Sequence, residues 1–138
     1  MKYLPFKLAL GSALYGLIGT PAFAADDLAK LMSDDSQWAA PRKDYANTGY
    51  SGLNQINKSN VKNLKLAWTF ATGVNRGHEG APLVIGDTMY IHTAFPNNVY
   101  ALDLNDQQKI KWSYFPKQDP SIQSLLCCDN VNRGLGYG

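Results

Sequence analysis

The 138-residue chain has no run of like charges, a single glutamate, two histidines and two cysteines. Without a basic stripe it lacks the electrostatic footprint of a nucleic-acid binder and the polybasic patch that an anionic membrane surface attracts. Neither His78 nor His92 has a second His, Cys or Glu at metal-ligand spacing, so both read as structural residues. The apolar stretch from Leu8 to Gly19 is about 12 residues, where spanning a bilayer takes roughly 20, and no stop-transfer charges follow. A transmembrane anchor is therefore not expected. What remains is ordinary globular composition, 45% hydrophobic and 17% charged, in one small domain or part of a larger one.

The first 24 residues have the form of an export signal. Lys2 and Lys7 precede the apolar stretch, and Ala22-Phe23-Ala24 supplies the small residues that a signal peptidase requires, so cleavage is expected after Ala24. Removing Lys2 and Lys7 takes the 13 basic residues down to 11, equal to the 11 acidic ones, of which Glu79 is the only glutamate. Export also places the mature chain where disulfides persist.

Between Ala25 and Trp38 a short peripheral helix is expected, with Leu28, Leu31 and Met32 on one face and Asp26 and Asp27 at its N-terminal end. Residues 41 to 60 are rich in Asn, Ser, Gly and Tyr and read as a surface arm, with an irregular turn at Asn57-Lys58-Ser59-Asn60. Strand patterning follows. Leu64 to Phe70 alternates around Leu64, Leu66, Trp68 and Phe70, and further short strands are expected over 82–85, 88–92, 98–104 and 109–115. Gly86-Asp87 between two of them is a tight-hairpin signal, because the first central position of a type II′ turn needs a positive φ. Short strands with frequent turns imply an antiparallel sheet, as in a sandwich, a barrel or a propeller blade.

Two adjacent cysteines are the most informative pair. A bond between Cys127 and Cys128 closes an eight-membered ring and strains the peptide, a condition that surrounding structure must enforce and that often marks a functional site. Two buried free thiols, or bonds to partners outside this chain, fit the spacing as well; an exported chain with no other cysteine favours the vicinal bond. Five residues on, Arg133 offers a planar fork suited to carboxylates, although alone it reads as a surface residue. Glu79, flanked by Gly77 and Gly80, reads alone as a solvated loop residue.

Taken together, the phrases point further. Trp68-Thr69-Phe70-Ala71-Thr72-Gly73, Ala81-Pro82-Leu83-Val84, Tyr100-Ala101-Leu102-Asp103 and Trp112 resemble the blade motif of quinoprotein propellers, with roughly 45 residues, about one blade, from Trp68 to Trp112. The stretch from Ala101 to Trp112 is one residue longer than that motif and lacks its Thr-Gly turn. Gly77-His78-Glu79-Gly80-Ala81-Pro82, Tyr90-Ile91-His92-Thr93, Phe95-Pro96-Asn97-Asn98, Cys127-Cys128-Asp129 and Val131-Asn132-Arg133-Gly134-Leu135 are similar to the start of the large subunit of methanol dehydrogenases that use pyrroloquinoline quinone (PQQ).

The resemblance implies an all-β chain forming the first blades of an eight-bladed propeller, preceded by the helix and arm: an export signal over residues 1–24, helix and arm over 25–60, and an incomplete propeller over 61–138. Allowing about 40 to 45 residues per blade, the mature chain holds about two blades and cannot close a ring, so an N-terminal fragment, inactive by itself, is expected. The resemblance places Cys127 and Cys128, bonded to each other, against one face of the quinone, and Glu79 and Arg133 at its polar edge. It implies periplasmic oxidation of methanol or another small primary alcohol to the aldehyde, with a calcium or lanthanide ion as Lewis acid and a c-type cytochrome as electron acceptor. A small subunit or a homodimer partner belongs to the same expectation. The metal ligands, the catalytic Asp base and the tryptophan on the other ring face fall beyond Gly138. A sibling quinoprotein acting on ethanol or larger alcohols, and a non-catalytic propeller scaffold, are the alternatives.

Overall fold

The structure is a computed structural model and describes residues 25–106 and 109–138. The export segment expected over residues 1–24 lies outside them, as do Gln107 and Gln108 of the turn after the third strand. Four strands follow one another in chain order through a single antiparallel sheet: β1 Leu83–Ile85, β2 Thr88–His92, β3 Val99–Asp103 and β4 Ile110–Tyr114. Each falls within a run expected from turn punctuation. Ile85 pairs with Thr88 across Gly86-Asp87, and Gly86 has φ 56° while Asp87 is not among the positive-φ residues, the pattern that a type II′ hairpin demands.

Burial grades across the sheet. The central strand β3 is covered on both faces at Tyr100, Ala101 and Leu102, and Leu83 of β1 joins them in the core, whereas all of β4 is exposed. The residue by which this blade exceeds the usual motif is taken up in the pairing of β3 with β4. Ala101 pairs with Trp112 but Leu102 with Ile110, so the register slips there and Lys111 has no partner across the ladder. Its Nζ instead donates to Thr88 Oγ1 at 2.9 Å and lies 3.7 Å from Asp103.

The N-terminal helix α1 spans Ala25–Ser33 and stops short of the expected Trp38. Met32 is buried, and the chain turns at Asp34, whose carboxylate accepts from the hydroxyl and the backbone N–H of Ser36. These bonds hold the Asp34 carboxyl below the usual carboxylate range. Trp38 then pairs with Val84 in an antiparallel bridge, with N–H to carbonyl distances of 2.8 and 3.0 Å, so the arm covers the outer edge of β1. Lys43 is buried, and its ammonium donates to the carbonyls of Asp34 and Gln37, tying the arm to the turn that follows α1. The turn at Asn57-Lys58-Ser59-Asn60 forms as expected, with Asn57 Oδ1 accepting from the N–H and hydroxyl of Ser59.

One expected strand is absent. Residues 64–70 run outside the sheet; Leu64 and Leu66 are exposed, and Trp68 and Phe70 are half-buried. Alternating side chains make a strand only when a ladder partner is available, and the edge of β1 is already taken by Trp38. The segment is held from the side: Phe70 packs edge-on against Tyr100 at 5.2 Å, and the Tyr100 hydroxyl donates to the Thr72 carbonyl at 3.0 Å. The described residues therefore form one blade-like sheet rather than the two that the chain length would hold.

Candidate functional site

Three connections bring the loops beyond the sheet together. At the end of β2 the buried His92 donates from Nε2 to the Asn132 carbonyl at 3.0 Å. In the loop between β2 and β3, Phe95 N–H donates to the Asn130 carbonyl at 2.9 Å. From the segment before β1, Gly77 N–H donates to Asp129 Oδ2 at 2.8 Å. All three converge on residues 127–133, which carry the cysteine pair and Arg133.

Cys127 and Cys128 are bonded to each other, and no described cysteine is free. Of the three arrangements left open by spacing, the structure has the vicinal one. Cys128, Asp129 and Asn130 all adopt left-handed backbone, with φ of 61°, 61° and 59°. For residues bearing a Cβ this conformation costs about 1–2 kcal/mol each, least for Asn and Asp, so the turn needs external restraint. Asp129 supplies it. Besides the Gly77 bond, its carboxylate pairs with the Arg76 guanidinium at 3.3 Å, and Arg76 Nη2 donates to Gln123 Oε1 at 3.2 Å.

The four residues singled out from the sequence lie close together. Leu126, Cys127, Cys128, Asn130, Val131 and Arg133 line an open hollow of about 240 Å³. Glu79 is not part of that lining, but its Oε2 lies 3.8 Å from Arg133 Nε, with both side chains largely exposed. The arrangement presents a cross-linked sulfur ledge, a guanidinium paired among the described residues only with Glu79, and that one carboxylate within reach of the cation. Such a set suits a flat, anionic ligand, and Arg133 offsets the repulsion that Glu79 would exert on it. Among the described residues, no three His, Cys, Asp or Glu side chains gather to hold a metal ion, and no helix is long and apolar enough to cross a membrane.

Sequence reasoning missed Arg76, Asp129 and Gln123. Asp129 stands beside the cysteine pair, but its partners lie 53 and 52 positions away, and no spacing rule links them. His78 is structural: its Nδ1 donates to the Arg76 carbonyl at 2.7 Å, and its Nε2 accepts from the Thr72 hydroxyl at 3.2 Å.

A four-stranded antiparallel meander is the blade unit of β-propellers. Residues 38–137 match the family model described as glucose/ethanol/alcohol dehydrogenase, beta-propeller domain, for proteins that use PQQ, and the chain belongs to that family. It is 57% identical, over 94% of its length, to the lanthanide-dependent methanol dehydrogenase of Methylorubrum extorquens, of which it covers 21%. It is 50% identical, over 94% of its length, to methanol dehydrogenase (cytochrome c) subunit 1 of Methylobacterium organophilum, again covering 21% of that protein. Among solved structures, a europium-containing methanol dehydrogenase superposes with a TM-score of 0.79 at 56% identity, over 82% of this chain and 20% of that one. The chain thus spans about a fifth of the length of these relatives.

Proposed function

We propose that these residues form one part of the quinone site of a periplasmic, PQQ-dependent methanol dehydrogenase, which oxidises small primary alcohols to aldehydes and passes electrons to a c-type cytochrome. The observation that carries this reading is the shared hollow: the Cys127–Cys128 ledge and the Arg133 fork line it together, with Glu79 at 3.8 Å from Arg133. The names and identities of the methanol dehydrogenase relatives support the substrate class.

In this reading the cysteine pair supports one face of the ring, Arg133 binds a ring carboxylate through its fork, and Glu79 reaches the polar edge while Arg133 neutralises its charge. When bound, the quinone supplies the two-electron acceptor for the alcohol. The chain's own residues bind and orient; the general base and the ligands of a calcium or lanthanide ion belong to positions beyond residue 138. Residues 1–24 act as the export signal, cleaved after Ala24, residues 25–60 as a peripheral helix and arm, and residues 61–138 as part of an eight-bladed propeller. A small subunit or a second copy of the chain completes the assembly.

Arg133→Ala in the whole protein tests the site. Removing a charge-assisted contact of roughly 1.5–3 kcal/mol should weaken quinone retention at least about tenfold, whereas Lys117→Ala, at an exposed position outside the hollow, should leave it unchanged. Cofactor absorbance after dialysis is the readout. Equal retention in both variants would return Arg133 to the surface.

A further inference from the structure

We infer that Asp129, braced by Arg76, is a positioning residue that sets the loop carrying Cys127, Cys128 and Arg133 in register with the loop carrying Glu79. The inference rests on the quinone site proposed above and adds to it the device that assembles it. Glu79 and Arg133 come from segments far apart in the chain, and both are too exposed for their own 3.8 Å contact to hold two loops together. The Asp129 carboxylate bridges those same segments two residues before Glu79 and four before Arg133, through Gly77 N–H at 2.8 Å and Arg76 at 3.3 Å. It also sits at the centre of the three left-handed residues that follow Cys127, the stretch of backbone that carries Cys128 at the hollow.

The two halves of the brace are unequal. Arg76 and Asp129 are 38% and 57% exposed, so their ion pair contributes weakly, whereas the Gly77 bond has a charged acceptor and the shorter distance. A protein that keeps its loops in register only part of the time binds its ligand more weakly by that fraction. Asp129→Ala should therefore raise the apparent dissociation constant for PQQ by about tenfold or more. Arg76→Ala should raise it by no more than about fivefold, with Arg76→Lys recovering most of the loss, and Asp129→Asn should fall between the two alanine variants.

The experiment is reconstitution of the whole protein with PQQ, read by the bound-quinone spectrum, alongside the melting temperature and the rate at which dithiothreitol reduces the Cys127–Cys128 bond. The expected result is the affinity order above, with melting temperatures within a few degrees of wild type and faster reduction in Asp129→Ala. Unchanged affinity, or a lowered melting temperature with unchanged affinity, would overturn the inference. If Asp129→Ala does not fold, Asp129→Asn and Arg76→Ala decide. If the wild-type protein takes up no PQQ, the proposed function fails, and the brace is judged on reduction alone: faster reduction in Asp129→Ala supports it, equal rates refute it.

Discussion

Gly80 and His92 show how tightly individual residues define this site. A Cβ at Gly80 would fall directly on the His92 imidazole, which is buried and uses Nε2 to hold the Asn132 carbonyl, leaving Nδ1 with no partner among the described residues. The ring cannot move aside without giving up that bond. Gly80→Ala should cost about 1–3 kcal/mol through overpacking, and it should displace the adjacent Glu79. Denaturant titration of the whole protein gives the first quantity, and quinone affinity reports the second; a midpoint equal to wild type would show that the imidazole has room to yield. At this scale the sequence was readable where chemistry is written in residue type. The two adjacent cysteines announced their bond by type alone, whereas Arg133, which lines the same hollow, and Glu79, 3.8 Å from Arg133, stood out only through the longer phrases around them. Asp129 and Arg76 were not readable, since their roles arise from contact across more than 50 positions rather than from any local pattern.

Among the elements, the strands were legible because turns delimit them: Gly86-Asp87 fixed the first hairpin, and apolar runs on either side could pair only antiparallel. Residues 64–70 carry an equally good alternation and are not a strand, because periodicity describes faces and is silent about partners. The arm was legible as irregular but not as tethered. Its tether is Lys43, 3% exposed at φ 76°, whose ammonium satisfies two backbone carbonyls, Gln37 at 2.8 Å and Asp34. Lys43→Met keeps the aliphatic bulk and strands both acceptors, so it should destabilise the protein by about 1–3 kcal/mol. An unchanged denaturation midpoint would mean that water replaces the ammonium at both carbonyls. The loss should stay local, sparing quinone affinity, because Lys43 has no bond to residues 72–80 or 127–133.

For the molecule as a whole, the decisive feature is the sheet's far side. β4 has no strand partner on its outer edge among the described residues, and Ile110, Trp112 and Tyr114 of that strand are 46%, 48% and 59% exposed. Trp112 packs on one side against Tyr90 at 5.8 Å and borders a hollow of about 280 Å³ shared with Leu83, Val99 and Leu135. In a propeller such a surface lies against the next blade, and burying one large aromatic contributes roughly 1.5–3 kcal/mol. A small domain has only about 5–15 kcal/mol in total, so several uncovered aromatics leave residues 25–138 marginal by themselves. An unpaired strand edge with exposed apolar side chains also invites pairing with another copy. Residues 25–138 expressed alone should therefore self-associate, melt without a cooperative transition and retain no quinone, even though every residue of the hollow is present. Light scattering, calorimetry and quinone absorbance read the three properties separately. A monomer with a sharp transition and stoichiometric quinone would mean that this sheet needs no neighbouring blade, and that the exposed face of β4 has some other use.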